Sequence, residues 1–270
     1  MSRGKPRHIA EFPIDVPRTT ASFAPVTLSE AGGVRYLHLG SIWVQGAMRI
    51  RKPQWVELEY VQRMLASLLW LPSSELGQGH AVQLGLGAGA ITRFTHQRLR
   101  MRTTAIELNP GVVEVCRHWF HLAADDERLS VLTLDAALWL KREAPAQSVQ
   151  LLHVDLYDHE AAAPVLDDEA FYAGCHAVLA EGGVMAVNLF GRHASLSRSC
   201  ERIASVFGSD QVWTLRPTRE GNTVVIGGRG VLVPGREELL ARADLIDSRF
   251  GDNGLPARKW LRMVRPFGVA

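Results

Sequence analysis

Apolar and polar residues follow two different periods along most of this chain. Short apolar runs with strand character alternate with segments whose apolar residues recur at helical spacing, such as residues 112–120 and 168–179. The apolar runs are residues 81–84, 102–106, 129–134, 149–154 and 183–188. Strands that alternate with helices predict right-handed βαβ crossovers and a mostly parallel, buried sheet. Two closely spaced last strands, residues 211–215 and 222–226, predict an antiparallel hairpin at the end of this sheet, which then has seven strands.

The segment before this alternation has a different pattern. Residues 34–39 alternate large apolar with polar side chains, Gly40 and Ser41 interrupt them, and Ile42–Gln45 follow, which predicts short antiparallel strands and a hairpin. Residues 56–71 then show helical spacing that Pro72 ends. We therefore expect an irregular N-terminus, a small β domain and a first helix over residues 1–75, and a larger α/β domain over residues 76–270.

The composition narrows the function classes. The chain has 270 residues, 47% of them hydrophobic and 21% charged, with a formal net charge of +2, which is ordinary for a globular protein and argues against a nucleic-acid partner. Its three cysteines have no metal-binding or disulfide spacing, and no apolar run approaches the roughly 20 residues of a membrane helix. We expect a cytoplasmic protein with no metal ion and no membrane partner. Tyr36, Leu37, Ile42 and Trp43 are expected on an exposed strand edge, which predicts a homodimer.

A glycine-rich loop follows the first strand of the alternating region. Gly85, Gly87 and Gly89 stand at alternate positions between a predicted strand and a predicted helix, where backbone N–H groups can approach a ligand. Glu107 ends the next strand about 20 residues later, where such a carboxylate accepts hydrogen bonds from both ribose hydroxyls. A nicotinamide dinucleotide remains an alternative, although its usual third glycine is replaced by Ala90.

A third feature favours an adenosyl nucleoside. Asp135 closes the third strand, where it can accept from the adenine amino group while the N–H of Ala136 donates to a ring nitrogen; an ordinary helix N-cap is the other interpretation of Asp135. These features lie at successive strand ends, where open α/β sheets bind ligands. We predict a Rossmann-like class I methyltransferase fold that binds S-adenosylmethionine or its decarboxylated form as co-substrate.

The fourth strand introduces the candidate chemistry. Asp155 and Asp158 follow it, and either carboxylate could take a proton from an attacking amine or hold a cationic substrate. Each could instead cap the following turn. His153 lies inside the apolar strand and is predicted to be a core histidine.

These motifs together resemble the spermidine/spermine synthase (polyamine aminopropyltransferase) family. The matching segments are Leu84–Gly89, Ile106–Pro110, Leu134–Ala136 and Val154–Asp158, preceded by Trp43–Gln45 and Glu57–Met64. The resemblance implies that Gln45, Glu107, Asp135 and Ala136 contact the nucleoside, and that Asp155 stands in the position of the catalytic acid. It also implies that Asp158 and Tyr60 lie near a small-molecule amine substrate, to which we add Tyr157.

The chain departs from the family pattern at important positions. Ala88 stands where an aspartate is expected to contact the amine of the decarboxylated cofactor and to repel the carboxylate of ordinary S-adenosylmethionine. His159 replaces a proline of the motif around Asp155 and Asp158, and the aspartate of the motif that ends at Gln45 is absent, with Ser41 nearest. A diamine binds mainly through acidic anchors at each end, and at least one such anchor is missing, so strict putrescine specificity is not expected. Three hypotheses follow: aminopropyl transfer to an amine, methyl transfer from S-adenosylmethionine, and a non-catalytic nucleoside-binding protein.

Overall fold

The computed structural model of the protein describes residues 7–8, 23–157, 166–190 and 193–268. Within these ranges the chain forms a small antiparallel sheet of four strands and a larger mixed sheet of eight. Helices cover both faces of the larger sheet. None of the described helices has the length and apolar character needed to cross a membrane.

The small sheet is built from consecutive antiparallel strands near the N-terminus. They are β1 (Arg7–His8), β2 (Val26–Ala31), β3 (Val34–Leu39) and β4 (Gly46–Arg49). The hairpin between β2 and β3 turns at Gly32 and Gly33, which both have positive φ, as a two-residue turn between twisted strands requires. Residues 42–45 form a loop rather than the predicted strand, because β3 pairs directly with β4 and this segment only connects them.

The exposed edge predicted from this segment is only partly present. Ile42 and Trp43 are exposed, with relative accessibilities of 88% and 53%, and Tyr36 is half-buried. Leu37 was wrongly expected on this edge, because it is fully buried in the apolar cluster beneath the small sheet. The homodimer stays a prediction.

The larger sheet confirms the predicted α/β fold, with one strand more than expected. Its strands are β5 (His80–Leu84), β6 (Arg102–Glu107), β7 (Leu129–Thr133), β8 (Val149–Val154), β9 (Leu179–Phe190), β10 (Val212–Leu215), β11 (Asn222–Gly228) and β12 (Val264–Pro266). The order is β12-β10-β11-β9-β8-β5-β6-β7, with β5 to β9 parallel and the last three strands antiparallel to their neighbours. The short β12 is an edge strand that ends in proline, so it has no alternating pattern in the sequence.

The predicted helices are present, with small differences at their ends, whereas the last helix, over residues 257–260, lies in a segment that was expected to be a polar loop. They are α1 (Glu59–Met64), α2 (Ala90–Arg93), α3 (Pro110–Trp119), α4 (Ala136–Arg142), α5 (Glu169–Val178), α6 (His193–Phe207), α7 (Arg236–Phe250) and α8 (Ala257–Trp260). A 3₁₀ helix extends α1 over Leu65–Trp70, and a π-helical segment extends α2 over Phe94–Arg98. Residue 56 was expected to begin α1, but the helix begins at Glu59, because the carbonyl of Val56 accepts the side-chain amide of Gln62 at 2.8 Å and not a backbone N–H of the next turn.

Three apolar clusters hold the layers together. One joins α1, α2, α7 and α8 to one face of the large sheet, and another joins α4, α5 and α6 to the opposite face. The third joins α3 to the small sheet and includes Leu37, Met48, Leu86 and Ala88. The small sheet therefore packs onto the glycine loop at the carboxyl ends of the parallel strands. The predicted domain boundary at residue 75 stays a prediction.

Candidate active site

The glycine loop leaves β5 and passes over the end of β8. Gly85 has φ of +84°, and a Cβ at this position would overlap the carbonyl oxygen of Asp155. A Cβ on Gly87 would lie 2.9 Å from the carbonyl oxygen of Gln45. Glycine therefore allows the loop to touch both the strand end and the small sheet. Gly85 and Gly87 line a cavity at this edge, whereas Gly89 starts α2 and is not among the lining residues.

Glu107 lies at the end of β6 and fixes the loop. Its Oε2 accepts the N–H of Leu86 and its Oε1 accepts the N–H of Asn109, both at 2.9 Å. Burial raises the pKa of Glu107, and these backbone N–H groups oppose that rise by stabilising the ionised form. A carboxylate has about four acceptor positions, so Glu107 retains capacity toward the cavity that it lines.

Asp135 and Ala136 lie at the end of the neighbouring strand β7. Asp135 is the N-cap of α4, because its Oδ1 accepts the N–H of Leu138 at 2.9 Å. Both Asp135 and Ala136 also line the cavity, so capping and ligand contact are compatible here. Ala136 is the first residue of the helix, and its N–H has no intrahelical acceptor. This end of α4 can therefore offer a donor and an acceptor side by side.

The small sheet closes the same cavity from above. This cavity is lined by Leu37 and Leu39 of β3, by Gln45 before β4 and by Val112 of α3. The N–H of Gln45 donates to the carbonyl of Leu37 at 2.8 Å, which holds this corner of the sheet. Residues distant in the sequence thus give the cavity an apolar wall suited to a flat ring.

Asp155 lies where this cavity meets a second, more open one. Asp155, Gln45 and Tyr157 line both. The Nδ2 of Asn188 donates to Asp155 Oδ1 at 2.9 Å, and the hydroxyl of Tyr60 donates to Asp155 Oδ2 at 3.1 Å. Burial raises the pKa of Asp155, and these two hydrogen bonds oppose the rise. The arrangement holds a single carboxylate in fixed orientation between two spaces.

The hydrogen-bond network around Asp155 extends to further tyrosine and asparagine side chains. The hydroxyl of Tyr157 donates to the carbonyl of Asn188 at 2.9 Å, and the side chain of Asn222 donates to Asn188 Oδ1 at 3.2 Å. Burial raises the pKa of Tyr60 well above its usual value, with the neighbouring Asp155 adding to the rise, so the phenol stays a donor. The network thus joins four polar side chains to one potential base.

The structure brings most of the predicted site residues together. Around one junction lie Gln45, Tyr60, Gly85, Gly87, Glu107, Asp135, Ala136, Asp155 and Tyr157. Asp158 lies outside the described residues. His153 is fully buried, as predicted, and burial lowers its pKa to about 4. Asn188 was missed, although a polar residue near the end of an apolar strand beside β8 was a usable signal.

No group of three or more histidine, cysteine, aspartate or glutamate side chains suited to a metal ion occurs in the part of the chain that the structure describes. Asp155 is surrounded by amide and phenol donors instead. These donors hold the carboxylate in a fixed position, from which it can accept a proton from a nucleophile.

The chain is similar in sequence to a curated aminopropyltransferase and similar in fold to two solved structures. No protein-family model matches the chain. The polyamine aminopropyltransferase of Chromobacterium violaceum is 30% identical over 228 residues, which are 84% of this chain and 85% of that protein. A probable spermidine synthase from Corynebacterium glutamicum has a TM-score of 0.69 at 20% identity and covers 96% of this chain and 98% of its own. Human methyltransferase-like protein 13, solved with SAH, has a TM-score of 0.62 at 21% identity, over 79% of this chain and 96% of its own.

Proposed function

This chain belongs to the polyamine aminopropyltransferase family, and we propose that it transfers an aminopropyl group from decarboxylated S-adenosylmethionine to a small-molecule amine. The observation that carries the proposal is the position of Asp155 between the cavity lined by Glu107 and Asp135 and a second, open cavity. A transferase needs its donor and acceptor on either side of the reacting atoms, and a base on the acceptor side.

The nucleoside end of the co-substrate is assigned to the first cavity. We propose that Glu107 accepts hydrogen bonds from the ribose hydroxyls, and that Asp135 and the N–H of Ala136 pair with the adenine edge. The rest of the nucleoside would contact Gln45 and the backbone of Gly85 and Gly87. The acceptor capacity left on Glu107 and the donor–acceptor pair at the start of α4 support these roles.

The reaction proposed for this site is a direct displacement. The bound sulfonium supplies a good leaving group next to the methylene carbon that is attacked. A C–N bond forms as the C–S bond breaks, methylthioadenosine leaves, and the amine proton passes to Asp155. Tyr60 and Asn188 would keep the carboxylate oriented toward the amine, because each holds one of its oxygens. General-base catalysis of this kind contributes about 10²- to 10⁴-fold in rate.

A nucleoside-release assay tests the proposal. The purified chain is incubated with decarboxylated S-adenosylmethionine and each of a set of mono-, di- and polyamines, and methylthioadenosine is measured by chromatography. We expect product with at least one amine and its loss in Asp155→Asn. The absence of methylthioadenosine with every amine would refute aminopropyl transfer.

Methyl transfer from ordinary S-adenosylmethionine is the second candidate, and the surroundings of Ala88 favour it. A small gap of about 10 Å³ lies beside Ala88, lined mostly by apolar side chains that include Leu58 and Ile91. Asp155 is the only carboxylate among its described lining residues. No second acid there would pair with the amine of the decarboxylated co-substrate or repel the carboxylate of the ordinary one.

Calorimetry with the two co-substrates discriminates between these candidates. A tighter complex with S-adenosylmethionine, together with S-adenosylhomocysteine as product, would support methyl transfer. Ala88→Asp should then shift the preference toward the decarboxylated form, and Ala146→Asp, at an exposed alanine that lines none of the three cavities, is the control. A homodimer and a cytoplasmic location remain predictions, and light scattering tests the first.

A further inference from the structure

Two asparagines on neighbouring strands lie next to Asp155. Asn188 lies near the end of β9, and Asn222 is the first residue of β11. These strands are antiparallel, and Asn188 pairs with Val224, so Asn222 is its diagonal neighbour on the same face of the sheet. Asn222 Nδ2 donates to Asn188 Oδ1 at 3.2 Å. Asn188 is only 3% exposed, so this bond is largely shielded from water.

The two ends of the Asn188 amide have different neighbours. Its Nδ2 donates to Asp155 Oδ1 at 2.9 Å, whereas its Oδ1 accepts from Asn222. Its backbone carbonyl accepts the hydroxyl of Tyr157, which fixes the main chain but not the amide. The terminal torsion of asparagine has two broad minima, and the amide has nearly the same shape in both. The hydrogen-bond partners therefore decide which end of the amide faces Asp155.

The orientation of this amide decides whether it stabilises or opposes a charge on Asp155. With Nδ2 toward the carboxylate, an N–H group donates to the ionised form and stabilises it. After a half-turn, Oδ1 would face the carboxylate oxygen, and two acceptors in contact would oppose ionisation. Asn222 prevents that half-turn, because its Nδ2 is a donor and pairs only with the acceptor end of Asn188.

The hairpin between β10 and β11 holds Asn222 in the matching orientation. Thr218 in this hairpin is 6% exposed, its Oγ1 accepts the N–H of Asn222 at 3.2 Å, and its N–H donates to the carbonyl of Asn222 at 2.8 Å. The Thr218 hydroxyl also donates to Asn222 Oδ1 at 3.5 Å. This occupies the acceptor end of the Asn222 amide and leaves its donor end for Asn188. The donors therefore run in one direction, from the Thr218 hydroxyl to the Asp155 carboxylate.

We infer that Asn222 is a positioning residue, which holds the Asn188 amide with its donor end toward Asp155. The inference rests on the proposed function, in which Asp155 is the base, although the orientation itself is a property of the protein without substrate. Asn222 also lines the open cavity, so the experiment has to separate an effect through Asn188 from a contact with the amine.

The pKa of Asp155 in the full chain is the direct readout. It is measured by NMR of the side-chain carboxyl carbons, and the signal of Asp155 is the one that Asp155→Asn removes. The titratable groups that the described residues place beside it, Tyr60 and Tyr157, have pKa values raised by burial and stay neutral. In Asn222→Leu the Asn188 amide loses the partner that fixes it, so the pKa of Asp155 should rise by about one unit. An unchanged or lowered value would overturn the inference.

A double-mutant cycle tests whether Asn222 acts through Asn188. In a chain that carries Asn188→Leu no amide is left to orient, so adding Asn222→Leu should leave the pKa of Asp155 unchanged. A further rise of similar size in that background would mean that Asn222 acts on Asp155 directly, and the inference would be wrong. A contact between Asn222 and the amine would instead raise KM for the amine without moving the pKa, and that result would also count against it.

Variants of Thr218 give a second test that leaves both asparagines in place. Thr218→Val has nearly the same shape but no hydroxyl, so the pKa of Asp155 should rise by less than in Asn222→Leu. Thr218→Ser keeps the hydroxyl and is the matched control, with a pKa close to that of the unmodified chain. Equal pKa values in Thr218→Val and Thr218→Ser would contradict the donor order.

These measurements need no turnover, so they separate the inference from the proposed reaction. A raised pKa in Asn222→Leu, with no methylthioadenosine formed from any amine, would support the orienting role of Asn222 and refute aminopropyl transfer. If product forms, the acidic limb of kcat/KM should move together with the pKa of Asp155. An active enzyme in which this pKa does not respond to Asn222→Leu would overturn the inference and leave aminopropyl transfer intact.

Discussion

The hydrogen bond between Tyr60 and Asp155 gives a quantitative prediction about pH dependence. Its length is 3.1 Å, and it stabilises the ionised carboxylate, so its removal in Tyr60→Phe raises the pKa of Asp155. A hydrogen bond to a charged group contributes about 1.5–3 kcal/mol, and one pKa unit corresponds to about 1.36 kcal/mol. Asn188 still holds the other oxygen and water can replace part of the lost bond, so we expect a rise of about one unit.

The assay is the pH profile of kcat/KM, which reports the ionisation of the free enzyme. A base must be deprotonated to act, so the acidic limb due to Asp155 should move upward by about one pH unit in Tyr60→Phe. The amine substrate titrates at higher pH and is the same for every variant, so its contribution cancels. The matched control is Tyr157→Phe, because the Tyr157 hydroxyl donates to the carbonyl of Asn188 and not to Asp155.

Two other results of this experiment would contradict the prediction. If Tyr60→Phe lowered kcat/KM at all pH values without moving the acidic limb, Tyr60 would act on the substrate and not on the carboxylate. If the limb moved to lower pH, Asp155 would not be the group that must lose a proton, and its role as base would be wrong.

Three further variants test other parts of the site. Asp155→Asn should lower kcat by about 10²- to 10⁴-fold, yet it should raise the melting temperature at pH 8. Burial raises the pKa of Asp155 in the folded state above its value in the unfolded chain. The stabilising contribution of this carboxyl is therefore fully present below the unfolded-state pKa and is lost as the pH rises through the folded-state pKa. An unchanged or lower melting temperature would contradict that sign. Glu107→Gln should weaken nucleoside binding about tenfold or more in calorimetry, because a charged acceptor is lost, and unchanged affinity would remove the ribose role. Gly85→Ala should lower the free energy of unfolding by about 2 kcal/mol or more in urea titration, because φ is +84° and the Cβ overlaps Asp155; Gly235→Ala, with open space around its Cβ, is the control.

Local sequence pattern was sufficient for the parts of the site that lie at strand ends. Glu107, Asp135 and Asp155 each follow a predicted parallel strand, and the carboxyl ends of neighbouring parallel strands meet at one edge of the sheet. Once the strands were predicted, the proximity of these carboxylates followed from topology. The glycine loop was predicted for the same reason, since a turn between a strand and a helix leaves a local composition signal.

The sequence did not predict which distant residues contact these side chains in the folded protein. Tyr60 reaches Asp155 across 95 residues of chain, and Asn188 reaches it across 33. The pairing of Glu57 with Arg49 depends on how the chain after β4 returns to the cavity, and Leu37 is buried because α3 packs beneath the small sheet. None of these contacts has a local pattern.

The sequence by itself therefore determined the α/β fold, the strand ends and the acidic residues that lie at them. The tertiary structure decided which side chains hold Asp155 beside the open cavity, and it paired other acids, Glu57 and Glu59, with arginines. The physical reason is range: strand and helix periods are set by neighbouring residues, whereas the charge state and orientation of a buried carboxylate are set by groups brought to it from distant segments.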